Sequence, residues 1–437
     1  MNILLVTTYF YPQNRIPVLR VGQWAKYWAL QGHRVTVLTT WKYPFLGPYG
    51  LHPALPAGVE VVEIPYLPQW MLRRPENAAP SAPDGAPAGP SALRRRVRQW
   101  RARIGSLIDI HDLWIAPARR KGLELMAQQR YDAIVSSFSP PAAHMVASRL
   151  KAAHPETVWL ADFRDLWANN HITSARGVLR SVESVLERRS LRGRADMLAT
   201  VSEPLADELR HRYPGLPVSV IENGFDPEEF PDWRARIRTP PAVGGTLRIC
   251  YAGTLYPGRR DPTPLFEAVN RLIDEGVLDR RSVALDFYGQ NEVELASILA
   301  ASRGNRHGIV HAHGFVPRAE ALAAQARSSL LLLLESPAPD ARGVMTGKLF
   351  EYLVSGVPIV AVGIDAQTAA GAVIEQTGTG FCARSADDIA ERLRQALAGG
   401  RFDFYAPRAE RIAAYARDRQ ARGIVEQLER IKEAQPC

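Results

Sequence analysis

Short apolar runs alternate with helical patterns along this chain, and the rhythm occurs twice. Residues 3–6, 35–38, 59–64, 133–135, 158–160 and 197–201 read as buried strands, with helical patterns over 20–30, 142–153 and 178–192 between some of them. A second set follows at 247–251, 283–288, 308–312, 330–334, 359–362 and 380–382. Short apolar strands separated by helix-length segments are what parallel βαβ units require. Residues 226–245 separate the sets and hold four prolines and a Gly-Gly pair, a linker composition. The chain is therefore expected to form two doubly wound α/β domains. Ligands in such sheets lie beyond the carboxyl ends of the strands, so a cleft between facing edges is the expected active site.

A length of 437 residues accommodates two such domains. The run MNILLVTT has no basic leader or cleavage signature, and no apolar run is long enough to span a bilayer. Cys250, Cys382 and Cys437 are too widely spaced for a disulfide framework or a zinc site. A cytoplasmic protein, soluble or peripheral on a membrane, is expected.

The formal charge is +9, and only six of the 54 cations are lysine. Such a surplus suits a nucleic-acid or membrane surface. No RNP or zinc motif appears, so a nucleic-acid partner is not expected. The first 235 residues carry +7 of the surplus. Much of it falls in a Pro/Ala/Arg-rich insert at about 66–104, where Arg94, Arg95, Arg96, Arg98, Arg101 and Arg103 interleave with Val97 and Trp100. A basic stretch with an aromatic residue can lie on an anionic leaflet.

Several motifs fail on inspection. No G-x-G-x-x-G follows the first strand, which excludes a plain dinucleotide dehydrogenase. Gly343 to Leu349 resembles a P-loop, but three residues separate its glycines where four are needed, and Leu349 stands where magnesium needs Ser or Thr. His311 and His313 share a strand face without a third ligand, so no metal is expected.

The chemistry concentrates at residues 347–363. Lys348 stands where a helix should begin, and a helix start with a lysine suits phosphate. Glu351 follows three residues later, and a carboxylate can accept both hydroxyls of a vicinal diol such as ribose.

The segment GKLFEYLVSGVPIVAVG, residues 347–363, resembles the donor-site helix of retaining GT-B glycosyltransferases of family 4. YAGTLYPGRRDPTPLFEAV (251–269) resembles the first strand and loop of their C-terminal domain, and GFVPRAEALA (314–323) the segment near the nucleotide base. VSEPLADEL (201–209), IENGFDPEEF (221–230), GHRVTVLT (32–39), SFSPPAAHMVA (137–147) and ADFRDLW (161–167) agree in order. The resemblance covers nearly all of the chain outside about 66–104. It implies a GT-B fold: an acceptor-binding Rossmann-like domain over 1–230, a linker over 231–245, a nucleotide-sugar domain over 246–403, and C-terminal helices over 404–437 that pack back toward the first domain.

The resemblance also implies roles. Arg260, with Arg259 beside it, matches the cation that grips the donor diphosphate. The family's second cation is replaced by Thr254, and Lys348 is the substitute. Glu351 matches the ribose carboxylate, while Gly343 stands where a sugar-contacting glutamate is usual, with Asp340 as a possible replacement. Gly289, Gly314, Phe315 and Val316 fall in donor-binding segments, and backbone N–H groups from Val344, Met345, Thr346 and Gly347 are expected to reach sugar and phosphate. In the N-terminal domain Asp162 stands nearest the family's strand-end histidine, as a candidate to orient sugar or stabilise charge at its C1. Arg15, Arg164 and Asp165 are acceptor-side candidates.

The implied reaction moves a sugar from a nucleoside diphosphate to a hydroxyl acceptor with retention, without metal or other cofactor. The located charge suggests a lipid-linked or cell-envelope glycan as acceptor and an anionic membrane surface as partner. A sugar-nucleotide epimerase of this fold is an alternative. A catalytically silent scaffold is another, because of Thr254 and Gly343.

Overall fold

The structure, a computed structural model, describes residues 1–43, 49–68, 107–168, 170, 177–256, 258–302 and 304–435. The chain divides into two compact units, residues 1–221 with 420–437, and residues 222–419. The chain thus crosses from the first unit to the second after Ile221 and returns after Arg419. The Pro-rich stretch 226–245 belongs to the second unit, and most of the C-terminal helix to the first.

The first unit holds β1 (Asn2–Val6), α1 (Ile16–Leu30), β2 (Arg34–Thr40), β3 (Val59–Ile64), α2 (Asp112–Gln128), β4 (Ala133–Phe138), α3 (Ala142–Ala153), β5 (Val158–Phe163), α4 (Val178–Leu191), β6 (Met197–Thr200), α5 (Glu203–Arg212) and β7 (Val218–Val220). Its seven strands are all parallel, in the order β3-β2-β1-β4-β5-β6-β7. Alternation along β1 explains the layering. Ile3 and Leu5 pack with Trp24, Trp28, Ile424 and Leu428, while Leu4 and Val6 pack with Trp114, Ala118, Val146 and Leu150. Both faces are thereby buried, as a parallel sheet requires. The indole N–H of Trp28 donates to the Ala421 carbonyl at 2.9 Å, fixing the C-terminal helix to the first sheet.

The second unit holds α6 (Trp233–Arg236), β8 (Leu247–Ala252), α7 (Thr263–Asp274), β9 (Val283–Tyr288), α8 (Glu292–Ser302), β10 (Val310–Gly314), α9 (Arg318–Ala326), β11 (Leu330–Leu334), α10 (Gly347–Ser355), β12 (Ile359–Val362), α11 (Ala369–Thr377), β13 (Gly380–Ala383), α12 (Ala386–Gly399) and α13 (Ala409–Ala413). α14 (Arg417–Ala434) leads back into the first unit. Six parallel strands run β10-β9-β8-β11-β12-β13. The all-leucine strand β11 is buried along its whole length at the centre of this sheet.

Both units are Rossmann-like. Strand order reverses between β1 and β4 in the first sheet and between β8 and β11 in the second. Crevices that bind ligands form at such switch points. Among the described residues no helix is long and apolar enough to cross a membrane. The expected strands are present, several longer than their apolar cores. β5 runs three residues past Leu160, so Asp162 lies inside the strand, in register with Ser137 and Ala199. The short β7 was not expected, because VSV offers too brief a pattern.

Candidate functional site

At the switch point of the second sheet, the loop after β8 faces the end of β11. Asn291 shapes that loop: its side chain accepts from the Leu255 N–H at 2.7 Å and donates to the Gly253 carbonyl. The Thr254 carbonyl then accepts from Tyr251 at 2.8 Å and from Arg260 at 3.1 Å. Thr254 thus aims Arg260 through its backbone, and its exposed side chain supplies no charge. Arg260 also reaches Glu335, the residue after β11, with Nη2 to Oε2 at 3.0 Å. The other oxygen of Glu335 is buried without a hydrogen-bond partner.

Lys348 completes this group from the first turn of α10. Its Nζ lies 4.4 Å from the centre of the Tyr251 ring and 3.3 Å from its hydroxyl. A Cβ on Gly253 would come within 2.1 Å of this amine, so a larger residue there would push the amine aside. Burial, and then the charge of Arg260, pull the Lys348 pKa down to about 7. α10 is well placed for an anion. Thr346 at its N-cap makes no side-chain cap, so its first N–H groups lack that acceptor. At its other end Gly356 takes φ +83°, where a Cβ would meet the Arg236 carbonyl at 2.5 Å.

Two of the residues expected to offer backbone N–H groups make internal bonds. The Val344 N–H donates to the Ala341 carbonyl, and the Met345 carbonyl accepts from Asn223 at 2.9 Å. Val344 is therefore occupied by its own turn, leaving the N–H groups from Met345 to Gly347 as candidates. Asp340 is exposed on a short 3₁₀ turn, a poor place for a sugar contact.

Glu351 lies on the same helix but does not stand alone. It accepts a hydrogen bond from Arg318 at the start of α9. Arg318 is also bidentate to Glu229, at 2.9 Å to each oxygen. Burial pushes the Glu351 carboxyl up, and Arg318 opposes that rise. Arg318 and Glu335 were missed from sequence. Arg318 was within a quoted motif, and Glu335 directly follows the five leucines, so both could have been flagged. Phe315 is 62% exposed and Val316 half-buried, next to Gly314, whose carbonyl accepts from Gly289 at 2.7 Å. Arg259 is half-buried beside Arg260. His313 bonds Asp286 at 2.7 Å and stacks on Tyr288, and among the described residues no metal-binding cluster forms.

In the first unit Asp162 is fully buried rather than open at a strand end. Arg20 donates to both its oxygens, at 2.7 and 3.2 Å, and Ser137 to one of them at 2.8 Å. A carboxylate so occupied positions its neighbours and is not presented to a sugar. Ser137 in turn accepts from Arg164 Nε at 3.2 Å, and Arg164 Nη2 donates to the Ser139 carbonyl at 3.0 Å. Burial lowers the Arg164 pKa, against the charges of Asp165 and Asp162. Asp165 is half-buried at the end of this chain of groups. Arg15 is exposed at the N-cap of α1, over the Tyr9 ring at 5.2 Å. The membrane candidates Arg94, Arg95, Arg96, Arg98, Trp100 and Arg101 lie outside the described residues.

Residues 79–229 match the family described as Glycosyltransferase Family 4, and residues 246–399 match Glycosyl transferases group 1. No curated protein matches the chain significantly. Among solved structures, a sucrose-phosphate synthase from Thermosynechococcus elongatus superposes with a TM-score of 0.60 at 14% identity over all of both chains. A glycosyltransferase from Rickettsia africae gives 0.61 at 13% identity, over 100% of this chain and 99% of that one. The lipopolysaccharide outer core galactosyltransferase WaaB gives 0.57 at 11%, over 98% and 99%. These likenesses establish the GT-B fold, and the two family matches give both halves of the chain a glycosyltransferase domain.

Proposed function

We propose that this chain transfers a sugar from a nucleoside-diphosphate sugar to a hydroxyl acceptor with retained anomeric configuration. The observation that carries the reading is the convergence of Arg260, Lys348 and the uncapped start of α10 at the switch point of the second sheet. Two cations and a helix start suit a diphosphate, and they stabilise it most as it departs with full charge. With that charge met by side chains, the reaction needs no metal. Glu351, oriented by Arg318, would accept the ribose hydroxyls. The unpartnered oxygen of Glu335 would take the sugar contact that Gly343 cannot make.

In the transfer, the acceptor oxygen bonds to C1 as the bond from C1 to the phosphate oxygen breaks. The acceptor proton passes to the leaving phosphate on the same face, so no protein nucleophile is required. The acceptor belongs to the first unit, near Arg15, Arg164 and Asp165. A lipid-linked or cell-envelope glycan suits the basic surplus of that half, with the protein cytoplasmic and peripheral on the membrane.

The test is a screen of UDP-, GDP- and dTDP-sugars with product detection by NMR. A glycoside whose anomeric configuration matches the donor supports the reading. An inverted product overturns retention, a free altered sugar points to an epimerase, and no turnover with any donor points to a silent scaffold.

A further inference from the structure

Helix α4 reverses the usual placement of apolar and charged residues. Val178, Val182 and Val185 are 81%, 44% and 41% exposed, while Glu183 and Glu187 are fully buried. At about 3.6 residues per turn, positions 178, 182, 185, 189 and 192 project from one side of the helix axis. That side is apolar over its first two turns and basic at its end, where Arg188, Arg189 and Arg192 are all exposed. The two glutamates are the helix's only acids, and both face inward. Glu187 is held there by Arg212 at 2.9 Å, Tyr213 at 2.7 Å and the Ala168 N–H at 2.6 Å. The outer face therefore carries no negative charge at all.

The neighbouring helices extend the feature. α3 packs between α2 and α4 in one layer of the first unit. Ile108, just before α2, and Leu113, in its first turn, are 60% and 55% exposed. Helices of a parallel sheet begin at the carboxyl ends of the strands, so these residues and Val178 mark the same edge of the unit. That edge is where ligands of such sheets bind.

We infer that the outer face of α4 lies on an anionic lipid surface. An apolar stripe followed by a purely cationic turn is the composition of a helix lying in the headgroup layer. The valines enter the acyl boundary and the arginines meet lipid phosphates, each basic residue adding severalfold to affinity. A protein partner fits less well, since the cores of protein interfaces are depleted of charge. The face is built from residues other than 94–103 and, resting on the acceptor side proposed above, would hold that edge against the bilayer.

Vesicle sedimentation of the full chain tests this without any donor sugar, so it stands or falls apart from the transfer reaction. Wild-type protein is expected to pellet with phosphatidylglycerol-rich vesicles and not with phosphatidylcholine alone. Val182→Asp with Val185→Asp, and separately Arg188→Gln with Arg189→Gln and Arg192→Gln, should each weaken binding at least about tenfold. All five positions are exposed, so both variants should melt like wild type. Equal binding to both vesicle types, or unchanged binding by both variants, overturns the inference. A change in oligomeric state with vesicle binding intact assigns the face to a second copy instead, and overturns it too.

Discussion

Arg260 and Glu335 meet at 3.0 Å across the point where the strand order of the second sheet reverses. Arg260 lies in the loop after β8 and Glu335 directly follows β11, so the pair depends on β8 and β11 being neighbours. Arg260→Ala should lower kcat/KM for any active donor by about 10²- to 10³-fold, as loss of a charge-stabilising donor does. Glu335→Ala should weaken the sugar-bearing donor more than the bare nucleoside diphosphate. Calorimetry with both ligands separates these, and equal weakening would reduce Glu335 to a partner of Arg260.

Lys348 gives the site a pH dependence. In the empty protein its pKa is lowered to about 7 by burial and by Arg260. Diphosphate favours the charged amine, so binding above that pH must draw a proton onto it. Affinity should fall as pH rises above 7, by at most about tenfold per unit. Calorimetry in buffers of different ionisation enthalpy should register the proton uptake. Lys348→Arg keeps its charge throughout and should flatten the profile.

Arg318 should act through Glu351. The guanidinium holds that carboxylate on one side and Glu229 on the other. Arg318→Ala removes the main opposing charge and leaves burial and the charge of Glu229 to raise the Glu351 pKa against Lys348. The ratio of variant to wild-type donor KM should then be raised at neutral pH and shrink at higher pH as Glu351 ionises. Loss of activity at every pH would mark a structural role only.

The architecture was legible because a parallel sheet writes itself as repeated apolar runs. Arg260, Lys348 and Glu351 could be singled out because local motifs carried them. The pairings of Glu335, Arg20 and Arg318 were not legible, even where the residue itself stood in a flagged segment, for a common reason. Each acquires its role from a partner distant in the chain: Arg20 from Asp162, and Glu335 from Arg260. Periodicity reports which way a residue faces within its own element, and it is silent on what waits there. Asp162 read as a strand-end residue because the apolar run ends at Leu160, while the ladder continues to Phe163.

His144 should make the first unit sensitive to acid. It is fully buried, near Phe138, Trp159, Phe163 and Trp167, and burial lowers its pKa to about 3. The folded protein keeps it neutral while the unfolded chain takes up a proton below about pH 6.5. Stability therefore falls as pH drops from 6.5 toward 3, by at most about 1.4 kcal/mol per unit from this group. Melting curves of His144→Gln should show a shallower decline over that range.

Asp162 offers the sharpest test of position against contact. Arg20 and Asp162 are both buried, and removing either leaves an uncompensated charge. Arg20→Met and Asp162→Ala should each cost about 3–5 kcal/mol of stability. The double variant leaves neither charge stranded and should cost less than the sum. Ser137 links this pair to Arg164. If Asp162 acts through that link, the double variant should change acceptor KM while donor affinity stays at the wild-type value. A fall in kcat with acceptor KM unchanged would instead return Asp162 to the reacting sugar.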